Sequence, residues 1–379
     1  DGYKELHSQN LKVPIKNPTD HFDVLTYQGN GESGRQISGL SFKPDLVWLK
    51  ERTSSSSWAI FDVVRSVGKR LFFNNRNNEE TGYETVNNPS FNQTGFTVGT
   101  DGSTNQDGQE YVAYCWKAGG NSVKNDEGVK KAGSQGIITD VSANPEAGFS
   151  IVRWTGSGQS TSVSAPVELG HGLNDAPKFV ITKIYSGGNE STTPNHWWYY
   201  FEEKYGDFRA LRATMDSTVY AYQDGQNALR LSLDGNKKCL SATGGFTTNG
   251  AKYIAYCWAE IPQYSKFGVY RGNGDAGGEV IFTGFKPAFL IIHKLLNNSN
   301  SSSGDYMVFV DSARNSTNMR GKHYLYPALA NGDDIEGGTI DFLSSGFRIR
   351  SSDNIFNTSN STYFYAAWAE SPFTNSTAK

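Results

Sequence analysis

Tyr111-Val112-Ala113-Tyr114-Cys115-Trp116 decides the fold, because the chain writes it three times. It returns as Tyr253-Ile254-Ala255-Tyr256-Cys257-Trp258, and more loosely as Tyr363-Phe364-Tyr365-Ala366-Ala367-Trp368. Aromatic and β-branched residues fill each copy, with no Gly or Pro, which is the composition of a strand. Self-similarity along a chain marks repeated structural units and sets the reading of everything between the copies.

Upstream of each copy stands a Gly-Phe pair: Gly95-Phe96, Gly245-Phe246 and Gly346-Phe347. Further upstream is a second shared stretch, an apolar run entered through a proline. It reads Pro44-Asp45-Leu46-Val47-Trp48-Leu49-Lys50, Pro177-Lys178-Phe179-Val180-Ile181-Thr182-Lys183 and Pro287-Ala288-Phe289-Leu290-Ile291-Ile292-His293. An unbroken apolar run fits a strand covered on both faces, and proline is tolerated at its entrance. Each unit opens on a short strand ending in glycines: Tyr27-Gln28-Gly29-Asn30-Gly31, Trp154-Thr155-Gly156-Ser157-Gly158 and Tyr270-Arg271-Gly272-Asn273-Gly274. These glycines predict tight hairpin turns, which demand φ > 0.

A fourth shared element lies between the second and closing strands. Trp58-Ala59-Ile60-Phe61-Asp62 aligns with Trp198-Tyr199-Tyr200-Phe201-Glu202 and Met307-Val308-Phe309-Val310-Asp311. An Asp-x-x-Arg spacing follows in two units, Asp62…Arg65 and Asp311…Arg314, and not in the second. The expected organisation is a leader arm over 1–20, units over 21–120, 146–262 and 263–373, a polar linker over 121–145 and a tail over 374–379. Each unit has the size of one sandwich domain. The expected fold is all-β: three tandem antiparallel β-sandwich modules, jelly-roll-like in connectivity.

Composition narrows the function classes. Lys+Arg of 35 against Asp+Glu of 38 gives a net charge of −3, which lacks the basic face of a nucleic-acid binder. No apolar stretch of about 20 residues is present to span a membrane, and no signal peptide is visible. Three cysteines, Cys115, Cys239 and Cys257, form no disulfide framework. Cys115 and Cys257 occupy twin contexts and are expected to be separate core sites.

No catalytic constellation emerges. Glu79-Glu80, Glu202-Glu203 and Asp333-Asp334 are adjacent carboxylates, whereas glycoside hydrolysis sets two carboxylates facing each other about 5–9 Å apart. Gly156-Ser157-Gly158 is a repeat turn rather than a nucleophile elbow, since its mates carry Asn30 and Asn273. The six histidines are scattered singly, away from zinc spacing. The Asp101–Gly108 loop lines up oxygen ligands but lacks the glycine of a calcium-binding EF-hand loop, so it is expected to be a hairpin loop. No glycine-rich loop precedes Lys-Ser or Lys-Thr to cradle a phosphate. No catalytic residue, metal ligand or cofactor is assigned. The aromatic strand Trp197-Trp198-Tyr199-Tyr200 is the candidate ligand or partner contact, because alternate residues face opposite sides and exposed rings stack on sugars and anchor interfaces.

Taken together, Tyr27 to Gly31, Gly39 to Lys50 and Tyr111 to Gly120, with the closing Ala369-Glu370-Ser371-Pro372-Phe373, resemble repeat modules of virion structural and tail-fibre-like proteins of marine phages related to the cyanophages. The resemblance covers about 21–373. It implies virion assembly and host attachment, without carrying over any functional residue. The expectation is therefore a non-enzymatic virion protein, a tail fibre or spike component. A capsid decoration protein and a glycan-binding array are the alternatives. Expected partners are other virion proteins, a host-surface glycan or protein, and further copies of the chain in a homo-oligomer, a trimer for preference. The second unit departs from the pattern, with Gly-Ser-Gly and an insertion around Ser186–Pro194. Binding specificity is expected in the loops that differ between units.

Overall fold

The computed structural model describes residues 14–75, 77–81, 90–130, 135–159, 166–188, 197–201, 211–213, 219–221, 229–230, 238–295, 307–315 and 321–372. Glu202-Glu203, the histidines His7 and His196, the rest of the insertion after Gly188 and the tail beyond Pro372 lie outside them. The chain is all-β and built from antiparallel sheets. The three repeats share one strand order in their principal sheets: opening, closing, second, third. In the first unit this is Phe22–Gln28, Glu110–Trp116, Leu46–Glu51 and Ala59–Asp62. In the second it is Phe149–Thr155, Lys252–Trp258, Phe179–Ser186 and Trp197–Phe201. In the third it is Ser265–Arg271, Thr362–Pro372, Phe285–Leu295 and Val308–Asp311.

A second set of strands packs against each principal set, as a separate sheet in units one and two. The first unit pairs Arg35–Ser38, Gly95–Val98 and Phe91–Asn92. The second pairs Val167–Gly170, Cys239–Ala242 and Leu229–Arg230. In the third, Val280–Phe282, Gly346–Ile349 and Asp334–Leu343 run on through Gly321–Leu325 into the principal sheet, giving eight strands in one continuous ladder. The segment read as a linker is not bare loop. Val123–Asn125 and Thr139–Asn144 extend the second unit's sheet beyond its opening strand. Their polar sequence is that of a sheet margin, where Val123 and Lys124 stand exposed.

Strand alternation explains why the closing strands are apolar at successive positions. Tyr111, Ala113 and Cys115 face the first unit's own sandwich core; Val112, Tyr114 and Trp116 face the opposite way. The second unit does the same with Tyr253, Ala255 and Cys257 against Ile254, Tyr256 and Trp258. The third sets Tyr363, Tyr365 and Ala367 against Phe364, Ala366 and Trp368. The second set from all three units forms one shared core. The apolar runs are thus covered on both faces, and the outer cover of each sheet is the other two units.

Three tryptophans mark the centre of that core. Trp116, Trp258 and Trp368 stand 5.8, 5.6 and 5.8 Å apart between ring centroids, each pair edge to face. This is the preferred geometry of aromatic contact, where one ring's positive edge meets the next ring's negative face. Their indole N–H groups find no oxygen or nitrogen acceptor among the described residues. Ile15, from the segment read as a leader arm, is buried in the same core. All three cysteines are buried and in no disulfide, Cys115 and Cys257 in separate module cores.

Candidate functional site

Trp197, Trp198, Tyr199 and Tyr200 are all buried, between 0 and 6 % exposed. Trp197 and Tyr199 point into the shared core and Trp198 and Tyr200 into the second unit's own. These rings present no platform to a ligand. Two of them instead bind the neighbouring units, and they lead to a set of contacts that repeats around the shared core.

Ladder registers place the contacts in equivalent positions. Leu46 pairs with Trp116 and Asp62; Phe179 pairs with Trp258 and Phe201; Phe289 pairs with Trp368 and Asp311. Asp62, Phe201 and Asp311 are therefore one structural position, and so are Trp58, Trp197 and Met307. The alignment of Trp198 with Trp58 read from sequence is one residue out of register. Adjacent tryptophans at 197 and 198 made the two frames look alike.

Unit one reaches into unit three, and unit two into unit one, by the same contacts. Trp58 Nε1 donates to the Tyr326 carbonyl at 3.2 Å, and Trp197 Nε1 to the Phe72 carbonyl at 2.5 Å. Tyr114 Oη donates to Asp311 Oδ2 at 2.9 Å, and Tyr256 Oη to Asp62 Oδ2 at 2.9 Å. Each aspartate also holds an arginine three residues on, Arg314 or Arg65, at 2.6 Å with both side chains fully buried. A second acid completes each network: Arg314 to Asp333 at 2.5 Å and Arg65 to Glu79 at 3.1 Å. Burial disfavours the arginine charge, but the carboxylates around each guanidinium hold its pKa above the ordinary value. Burial and the aspartate charge push the Tyr114 and Tyr256 hydroxyls well up, so they stay protonated donors.

The third junction, unit three into unit two, is built from other material. Ala366 stands where the other units have Tyr114 and Tyr256, and Phe201 where they have aspartate. Phe201 stacks on Phe364 at 4.3 Å. Donor and acceptor are lost together, leaving no buried hydroxyl facing a hydrocarbon. A basic residue persists at all three junctions. Lys50, Lys183 and His293 are equivalent by register and all buried. Burial pushes the Lys50 amine down to about 8 against the opposing charges of Glu51 and Asp333. Lys183 Nζ donates to the Asn75 carbonyl at 3.4 Å, and His293 Nδ1 lies 2.8 Å from Tyr199 Oη.

The glycine motifs of the opening strands form cradles rather than hairpins, because the strands on either side of them do not pair with each other: they belong to different sheets in units one and two and to opposite ends of the eight-stranded sheet in unit three. Each cradle packs on a helical turn that precedes the closing strand: Gly102–Asn105, Gly244–Phe246 and Asn354–Asn357. The first glycine is required by close approach. A Cβ on Gly29, Gly156 or Gly272 would run into the carbonyl oxygen of Gln106, Thr248 or Thr358. The last glycine has φ of 69°, 70° or 73° at Gly31, Gly158 and Gly274. Stacked pairs lie beneath: Tyr27 on Tyr111 at 5.1 Å, Trp154 on Tyr253 at 4.9 Å and Tyr270 on Tyr363 at 5.0 Å. The Tyr111, Tyr253 and Tyr363 hydroxyls each donate to a carbonyl of the helical turn, Gly102, Gly245 and Asn354. The second unit thus keeps this element, and Gly245-Phe246 belongs to it rather than matching the strand residues Gly95-Phe96 and Gly346-Phe347.

Of the acidic groups singled out from sequence, Asp101, Glu79, Glu80 and Asp333 are bound to cations. Asp101 caps its helical turn through the Ser103 N–H and pairs with Arg70 at 2.9 Å. Glu80 pairs with Arg70 as well, and Glu79 and Asp333 belong to the junction networks. Among the described residues no three His, Cys, Asp or Glu side chains converge as a metal-binding group.

One family profile, Domain of unknown function (DUF7483), matches residues 17–372 in a single span. The chain belongs to this family. That span covers all three units, so the DUF7483 domain corresponds to the whole shared-core assembly and not to one repeat. No curated protein matches the sequence. In this DUF7483 chain the cradle rims carry different exposed side chains in each unit: Glu32, Ser33 and Asp107 in unit one, Ser157 and Asn249 in unit two, Asp275 and Ser359 in unit three.

Proposed function

We propose that this DUF7483 chain is a non-catalytic phage virion structural protein, a tail fibre or spike component that attaches the particle to a host surface. The observation that carries the reading is the division of labour between core and rim. The distinctive polar groups, Asp62, Arg65, Tyr256 and their counterparts, lock modules together inside the protein. Equivalent cradles then carry different exposed side chains, a rigid scaffold with variable loops suited to recognition. The likeness of the repeated anchors to virion modules supports a particle surface as the setting. Other virion proteins and a host-surface glycan or protein are the partners in this reading.

A capsid decoration role is the second reading, favoured by three similar modules gathered round one core, a shape matched to a threefold position on a shell. Antibody labelling of purified particles in cryo-electron tomography tests both. Density on the tail, with adsorption blocked by the free protein, is the expected result. Density on the shell selects decoration, and absence from the particle overturns both readings.

A further inference from the structure

We propose that two copies of this chain join by antiparallel pairing of the edge strand Val280–Phe282. This strand ends the third unit's eight-stranded sheet, with Gly346–Ile349 on one side and no strand on the other among the described residues. Phe282 is 70 % exposed and Val280 38 %, while Ile281 between them is buried.

The two other units show how this edge is otherwise managed. In unit one the same register puts Gln36 and Ser38 at the exposed positions: Ser38 lies opposite Gly95 as Phe282 lies opposite Gly346. In unit two the edge strand Val167–Gly170 is covered from within the chain. Ile137 donates its N–H to the Glu168 carbonyl at 3.0 Å and bridges Leu169. The position therefore accepts an added strand, and among the described residues unit three alone keeps an apolar edge with neither polar side chains nor a cover. Exposed apolar edges of this kind are sites of pairing with another chain.

The backbone says which groups would pair. Thr283 N–H donates to the Ser345 carbonyl and Ile349 N–H to the Glu279 carbonyl, so the odd-numbered residues bond inward to the Gly346–Ile349 strand. Alternation then turns the N–H and C=O of Val280 and Phe282 outward. A second copy, antiparallel about Ile281, would set Val280 against the partner's Phe282 in two hydrogen-bonded pairs. Both apolar side chains would meet on one face. Glu279 would stand opposite the partner's Thr283, so no like charges meet across the seam. The occupant that satisfies all of this is the strand itself, in an isologous twofold contact.

Sedimentation velocity on the full chain from about 1 to 100 micromolar tests the pairing, with hydrogen exchange followed at the Val280 and Phe282 amides. Expected is a concentration-dependent dimer in which both amides gain protection. The double variant Val280→Gln/Phe282→Ser, which installs unit one's residues, is expected to weaken the dimer at least about tenfold with an unchanged melting temperature. Three results overturn the proposal: a monomer throughout the range, a dimer indifferent to the double variant, or amide protection that appears only on adding isolated host envelope or other virion components.

Discussion

Tyr256 of the second unit donates its hydroxyl to the Asp62 carboxylate of the first at 2.9 Å, where Arg65 already holds the same oxygen. The chain repeats this relationship once, as Tyr114 with Asp311 and Arg314. It links two modules through a charge that water cannot reach. Removing only the hydroxyl, in Tyr256→Phe, is expected to cost about 1–3 kcal/mol, since the acceptor is charged and buried. Asp62→Ala leaves the buried Arg65 with Glu79 as its remaining counter-charge, strips the Tyr256 hydroxyl of its acceptor, and is expected to cost about 3–5 kcal/mol. Urea midpoints at constant slope read both losses.

At the third junction the opposite exchange is harmful. Ala366→Tyr would place a phenol against Phe201 and Phe364, where the equivalent aspartate is missing. Loss of stability of about 1–3 kcal/mol is expected from overpacking. Thermal melts of Ala366→Tyr and Ala366→Ser separate volume from hydroxyl, and a variant as stable as the parent would show that this junction is loosely filled.

Glycine substitutions distinguish close approach from backbone conformation. Gly29→Ala, Gly156→Ala and Gly272→Ala each push a methyl into a backbone carbonyl, and a drop of about 2 kcal/mol or more is expected. Gly34 has open space but a φ of 75°, so Gly34→Ala is expected to cost only about 1 kcal/mol. Denaturation midpoints of the four variants check the ranking.

Acid is expected to stabilise the protein through Asp23. Burial, aided by the charge of Glu370 and opposed by the Val24 N–H, pushes its carboxyl up to about 6. The folded chain then binds more protons than the unfolded one between about pH 4 and 6. Stability from this group falls as pH rises through that window, and the penalty is complete above it. Asp23→Asn is expected to raise the melting temperature at pH 7 and to leave it unchanged at pH 4, as melts at the two values would show.

Much of the fold was legible in the sequence. The three closing strands and their apolar neighbours announced strands covered on both faces. What covers the second face was not legible, because Trp116, Trp258 and Trp368 look like three separate cores until they meet. The Asp-x-x-Arg spacing was visible, but its partner tyrosines lie nearly two hundred residues away and on other units. Trp197 to Tyr200 attracted attention as exposed aromatics for the same reason: alternation gives two faces, and only the assembly shows that both are buried. Linker strands escaped because their residues are mostly polar and carry no apolar period, even where Thr139, Val141 and Ser142 are buried.

Differential scanning calorimetry tests the central claim, that three modules share one core and stand or fall together. The account predicts a single transition whose calorimetric and van't Hoff enthalpies agree. Trp258→Ala, at the hub, should shift that whole transition downward, by about 3–5 kcal/mol in stability. Two or three resolved transitions, with Trp258→Ala moving only one of them, would contradict it.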